Sequence, residues 1–273
     1  AIITACLCVV LAFQVVRADD RMYEPFAAVL AKYVDDAGRV YYEGLESGSE
    51  NLRAFTTSVA RLDSSDFKRW PRDERIAFWL NVYNALTLQA IIDNYPIQAS
   101  FWRSAIYPKE SIRQIAGVWD ETSFPVMGSS MTLDFIEHEI LRKQYEEPRV
   151  HMGLVCAASS CPPLRRKPYT GRKLDAQLRD QSRTFLLRPS NFRIEKGSKI
   201  LFLSSIFEWF GEDFVNVYDD GPSFKNYSAR ERAVVNFVAQ HVSEQVRADV
   251  LREDYKVRYL DYDWSLNSRD SLP

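Results

Sequence analysis

The chain has 273 residues, 46% hydrophobic and 26% charged, proportions of an ordinary globular protein long enough for one sizeable domain. Its 35 lysines and arginines nearly balance 37 aspartates and glutamates, leaving a formal charge of −2. No global field therefore favours nucleic acid or a membrane surface.

The first 18 residues, AIITACLCVVLAFQVVRA, are almost wholly apolar and meet Asp19, Asp20 and Arg21 at once. That length suits the hydrophobic stretch of a secretory leader and is slightly short for a bilayer span. Val16-Arg17-Ala18 supplies the residues a signal peptidase reads, so cleavage before Asp19 is expected, with a retained anchor as the alternative. The mature protein, residues 19–273, would then be secreted or periplasmic. It would keep two of its four cysteines, Cys156 and Cys161, in an oxidising compartment.

Amphipathic spacing predicts helices over 22–33 and 49–62, the second with Leu52, Phe55, Val59 and Leu62 on one face. A longer helix is predicted over 72–93, ending before Tyr95-Pro96. It is apolar nearly all round, so it should be buried on every side. Asn81 and Asn84 break that pattern on one face. A buried amide without partners costs about 1–3 kcal/mol. These two must therefore either stitch a crossing loop to the helix or line a polar pocket.

Residues 97–125 read as irregular and aromatic-rich. PVMGSSMTL (125–133) reads as a hairpin around Gly128-Ser129-Ser130, followed by a helix over 133–145 capped by Thr132. RVHMGLV (149–155) reads as a buried strand running into VCAASSCPPL. A helix over 173–187, a hairpin over 192–203, a short capped helix over 204–214, a helix over 229–242 and a strand over 257–262 complete the chain. Helices outnumber strands, and the strands come mostly as hairpins. The expected class is a single-domain, helix-rich α+β fold, with a small antiparallel or mixed sheet packed by helices around the buried helix 72–93.

FWLNVYNALTLQAIIDNYP, SIRQI, TLDFIEHEILR, RVHMGLVCAASSCPPL, YTGRKLDAQL and IFEWFGEDF occur in that order between about residues 70 and 215, and YLDYDWSLN closes the chain. Together they resemble the family called domain of unknown function 547. That resemblance implies a recurring domain and assigns no catalytic residue.

The chemistry therefore has to be read from the residues. Cys156 and Cys161 are separated by four small residues and followed by two prolines, unlike the two-residue spacing of glutaredoxin-type motifs. A disulfide that fixes loop shape is the leading reading. The alternative is a thiol-dependent hydrolase or acyltransferase, with Cys156 as nucleophile and His138 or His151 as base. His138 carries Asp134 four residues earlier, which could orient its ring. A straight strand would turn His151 away from Cys156. His241 is expected on the solvent side of its helix. A Cys₂His₂ metal set can be written on paper but lacks paired spacing, so no metal and no cofactor is assigned.

Asn81, Asn84, Glu137, Cys161 and Arg165 are the candidate binding residues. Arg165 belongs to a basic cluster with Arg166 and Lys167, which is either a solvated face or an anion site. Glu139 and Lys143 should pair along their helix. Trp264 should plug the core edge while Asp263 and Asn267 cap a turn. A binding or scaffold module is favoured over an enzyme. Its partner is unknown: a small molecule or peptide would fit, with no nucleic acid, and no membrane once the leader is removed.

Overall fold

The computed structural model describes residues 20–221, 226–252, 255–270 and 272. The expected leader lies outside the described residues. The fold is helix-rich α+β, as the sequence predicts. The main helices are α1 (Glu24–Tyr33), α2 (Glu50–Arg61), α3 (Arg72–Ile92), α4 (Phe135–Arg142), α5 (Leu174–Leu186), α6 (Ser205–Phe210), α7 (Ala229–His241) and α8 (Glu244–Arg252). Among the described residues, no helix is long and apolar enough to cross a membrane.

The strands form two small sheets. β1 (Ser123–Val126) and β2 (Ser129–Thr132) make an antiparallel hairpin. Its two-residue turn is Met127-Gly128, with φ of 50° and 75°, the left-handed turn whose twist suits paired strands. The turn falls one residue before the predicted one. A non-glycine at positive φ is strained, and here the backbone N–H groups of Met127 and Gly128 donate to Val59 and Ala60 carbonyls at the end of α2. In the second sheet β3 (Phe192–Glu195) pairs antiparallel with β4 (Ile200–Ser204), which pairs parallel with β5 (Lys256–Leu260). Of the two arrangements expected, antiparallel or mixed, this sheet is mixed.

Two apolar cores result. One surrounds α3 and takes side chains from α1, α2 and α4. The other lies under the mixed sheet, with Phe207, Phe214 and Phe237 at its centre. Tyr262 packs against both.

Asn81 and Asn84 do what the first of the two readings requires. The Asn81 side chain donates to the Tyr169 carbonyl and accepts from the Tyr169 N–H, both at 2.8 Å. The Asn84 side chain donates to the Gly153 carbonyl and accepts from the Val155 N–H, both at 2.9 Å. Each amide therefore satisfies the donor and acceptor of a crossing segment as a neighbouring strand would. Gly153 permits the approach, because an added Cβ would lie 3.1 Å from Leu80 Cδ2 and 3.0 Å from the Tyr169 hydroxyl.

The predicted strand over 149–155 is not formed. Pro148–Met152 is a 3₁₀ turn, with the Glu147 side chain accepting from the Arg149 N–H. Proline is favoured at a helix start, and the amide of Val155 is already taken by Asn84. The sequence is apolar enough for a strand, but its hydrogen bonds go to a side chain on α3. His151 therefore has no strand face.

Asn84→Asp keeps the side-chain shape and sets a carboxylate oxygen against the Gly153 carbonyl. The expected loss is at least about 3 kcal/mol in urea unfolding followed by tryptophan emission, since both a bond and a buried charge are at stake. A loss below about 1 kcal/mol would show that the stitch carries no weight.

A cleft at the seam of the two cores

Between the cores lies a cleft of about 470 Å³. Its floor holds Cys156 and Cys161, joined as a disulfide with Cα atoms 6.1 Å apart. The loop is fixed from both ends. Upstream, Asn84 holds Val155 on α3. Downstream, the C-terminal segment lies across the loop: Ser159 and Ser160 donate to the carbonyls of Ser265 and Asp263, and the Asn267 N–H donates to Ala157. Asn267 also accepts from the Tyr42 hydroxyl at 2.7 Å, and Asp263 accepts from the Ser265 N–H. The turn-capping role expected of Asp263 is present. Asn267 instead ties the segment to the first core.

Tyr262 sits directly over the bridge, its hydroxyl 3.1 Å from Cys156 Sγ and 3.2 Å from Cys161 Sγ. Burial, with Glu137 adding to it, pushes this phenol far above its usual pKa, so it stays protonated. Glu137 projects from α4 and accepts from the Tyr83 hydroxyl at 3.0 Å. Burial first, and then the Glu137 carboxylate, push Tyr83 up as well.

Both candidate histidines line the same cleft as the two sulfurs. His138 stands on α4, which is wound as a π-helix from Phe135 to Arg142 and is capped by Thr132 as predicted. Its Nδ1 is 3.0 Å from Arg142 Nη1. A guanidinium can only donate, so Nδ1 accepts and the ring proton lies on Nε2, 3.8 Å from Asp134. That separation is an ionic contact, too long for the orienting hydrogen bond expected of Asp134. Burial pushes the Asp134 carboxyl up and Asp120 adds to this, while His138 and Arg113 oppose it.

His151 is buried, stacked 4.4 Å from the Phe210 ring, with Nε2 at 2.8 Å from Asp213. Arg142 grips the same Asp213 through Nε at 2.6 Å and Nη2 at 2.9 Å. Arg142 is thus the hub joining the two histidines. Burial alone would raise the Asp213 carboxyl, but the bonds from His151 and Arg142 win and hold it well below the usual carboxylate range.

Arg113 was not singled out by the sequence. Its guanidinium lies over three rings, 4.1 Å from Trp264, 4.8 Å from Trp119 and 5.3 Å from Tyr107. Its Nε is buried and has no hydrogen-bond partner among the described residues. Trp264 also stacks on Trp209, with ring centroids 6.0 Å apart.

Three expected features fall elsewhere. Arg165 is spent on Asp180 at 2.6 Å, and Arg166 on Asp36 at 2.8 Å. Neither enters the cleft, so the basic cluster is largely neutralised by acids on α5 and after α1. His241 faces the interior and donates to the Phe237 carbonyl at 2.8 Å, and burial lowers its pKa. Its helix is covered by α8, which the sequence reading did not anticipate. The Glu139–Lys143 pair forms at 2.7 Å.

Residues 67–186 match the model of a family described as a protein of unknown function, DUF547. Over that stretch the chain is similar to the DUF547 family. No curated protein and no solved structure is significantly similar to it. The DUF547 match contains α3, Arg113, His138, His151 and both cysteines. The cleft is closed from beyond it by Trp209, Phe210, Tyr262 and Trp264, carried on the motifs IFEWFGEDF and YLDYDWSLN. Four of the six Phe, Tyr and Trp residues lining the cleft thus come from outside the matched DUF547 residues.

The Asp213 shift has a definite sign. A carboxyl held below its unfolded value of about 3.9 stabilises the fold above that pH and loses the contribution as pH falls below it. Asp213→Asn should cost about 1.5–3 kcal/mol near neutrality, as expected for hydrogen bonds to charged groups. The gap between the two proteins should narrow below about pH 4. Urea midpoints measured from pH 7 to pH 2.5 check this; a gap independent of pH would contradict it.

Proposed function

We propose that this domain is a binding module whose cleft takes a small carboxylate-bearing molecule or peptide end. The observation that carries this reading is Arg113. A guanidinium packed among three rings is restricted in where it can point, and its planar fork suits a carboxylate. It has no ion-pair partner among the described residues. The other requirements of a ligand site are also met: an apolar, aromatic lining with a few convergent polar groups, at the seam of two cores. Trp209, Phe210 and Tyr262 offer faces to the body of the ligand. Asp134 and Glu137 offer acceptors to its donor groups. The Cys156–Cys161 bridge keeps the floor rigid, which lowers the ordering cost of binding.

The bridge also supports the expectation of an oxidising compartment, secreted or periplasmic. It tells against the thiol-hydrolase reading. A sulfur bonded to another sulfur carries no thiolate, and both sulfurs have their polar contact with Tyr262 rather than with a histidine.

The test is calorimetric titration of the full chain against a panel of amino acids, short peptides, dicarboxylates and sugar acids, beside their amides or neutral analogues. At least one carboxylate class should bind, its neutral analogue should not, and Arg113→Gln should weaken binding by about tenfold or more, the worth of a charge-assisted bond. Equal binding by Arg113→Gln, or no response to any carboxylate, would overturn the reading.

A further inference from the structure

A second surface lies apart from the cleft floor, on the segment between α3 and Trp119. Phe101, Trp102 and Ile106 are 83%, 80% and 76% exposed. Single exposed apolar residues are ordinary, but a cluster of large ones marks a contact surface. These three are close in sequence, and Phe101 and Trp102 pack edge to face at 5.2 Å.

The segment is held in one shape. Buried Gln114 accepts from the Ser100 N–H at 2.9 Å and donates to the Pro108 carbonyl at 3.0 Å, with longer contacts to Ser104 Oγ and the Tyr107 carbonyl at 3.4 Å. Arg103 donates to the Arg113 carbonyl at 3.1 Å. One buried amide therefore clamps both ends of residues 100–108 and leaves the three apolar side chains projecting outward. Such a clamp makes little sense for a solvent loop.

We infer that this projecting tip docks onto an anionic lipid surface. Two features favour lipid over a protein partner. The tip is led by adjacent, exposed Phe101 and Trp102, and aromatic side chains of this kind lie at the boundary of headgroups and acyl chains. Its own cations are Arg103 and Lys109, while the acids Asp93 and Glu110 sit only at its two ends. Interfacial binding grows with buried apolar area and with attraction of Lys and Arg to anionic lipid. Peripheral docking requires no spanning helix. It departs from the expectation that no membrane is involved, because a net charge of −2 describes the whole chain and not this loop. Arg113 links the tip to the cleft, since its carbonyl accepts from Arg103 and its guanidinium lies over Tyr107. Docking would set the cleft close to the lipid surface.

Co-sedimentation of the full chain with phosphatidylcholine vesicles, with and without phosphatidylglycerol, tests this. The protein should bind the phosphatidylglycerol vesicles more tightly and release them in high salt. The Trp emission should shift to the blue, and the shift should shrink in Trp102→Phe/Phe101→Ser. The double variant Phe101→Ser/Trp102→Ser should lose about tenfold or more in partitioning, and Lys109→Gln should weaken only the phosphatidylglycerol arm. Both sites are so exposed that the urea midpoint should not move, which separates lost docking from lost folding. Two results overturn the proposal. One is a wild-type protein that stays in the supernatant with both vesicle types, including the case where it instead forms a Phe101- and Trp102-dependent dimer. The other is a double variant that binds as the wild type does.

Discussion

Two asparagine side chains on one buried helix hold the rest of this site in place. Asn81 and Asn84 lie in a helix with apolar residues on all sides, and each gives both of its hydrogen-bonding edges to a crossing segment. Without them the stretch from Gly153 to Tyr169 would bury backbone groups with nothing to bond to. With them it can pass through the core as irregular chain. The cysteine loop begins one residue after the Asn84 contact, so its position is set by α3. The C-terminal segment then lies over that loop and brings Tyr262 onto the disulfide.

The cleft follows from this layering. Its floor belongs to the α3 core and its roof to the mixed-sheet core, and Tyr262 touches both. Charges in and behind it are arranged unequally. Arg142 is fully engaged, tied to Asp213 and His138 and stacked 4.9 Å from Phe210. Arg113 is packed among rings and has no ion-pair partner among the described residues. A half-buried guanidinium set among aromatics without an ion pair is open to a charge-assisted bond from a ligand anion. That contrast is why the site reads as a receptor for an anionic group rather than as a catalytic centre built on sulfur.

Much of this was legible in the sequence. Helix period and the terminal proline place α3 to within a residue. An apolar helix carrying two asparagines at one face already demanded partners for them. Short spacing made a bridge possible, and the expected oxidising compartment with two mature cysteines put the disulfide first among the cysteine readings. What failed did so for local reasons. The stretch 149–155 has strand composition, but Pro148 starts a 3₁₀ turn and Val155 bonds to a side chain, and neither is visible in apolar periodicity. His241 looked exposed because the groups beside it, the Tyr218 ring and Arg179 and Arg183 on α5, come from other elements. Arg165 looked free because its partner Asp180 is on another element. Arg113, Trp209 and Tyr262 were missed because they come from three distant segments. Only the aromatic density around SIRQI and YLDYDWSLN hinted at them.

Native-state hydrogen exchange at the amides of Val155 and Tyr169 tests the central claim most directly. Both lie in irregular chain, where exchange is ordinarily fast, yet both donate to a buried asparagine. If those side chains anchor the site, the two amides should exchange only through global unfolding, with protection matching that of the α3 interior. Exchange at the rate of the surrounding loops would show that the stitch opens on its own, and the account of how this cleft is built would not stand.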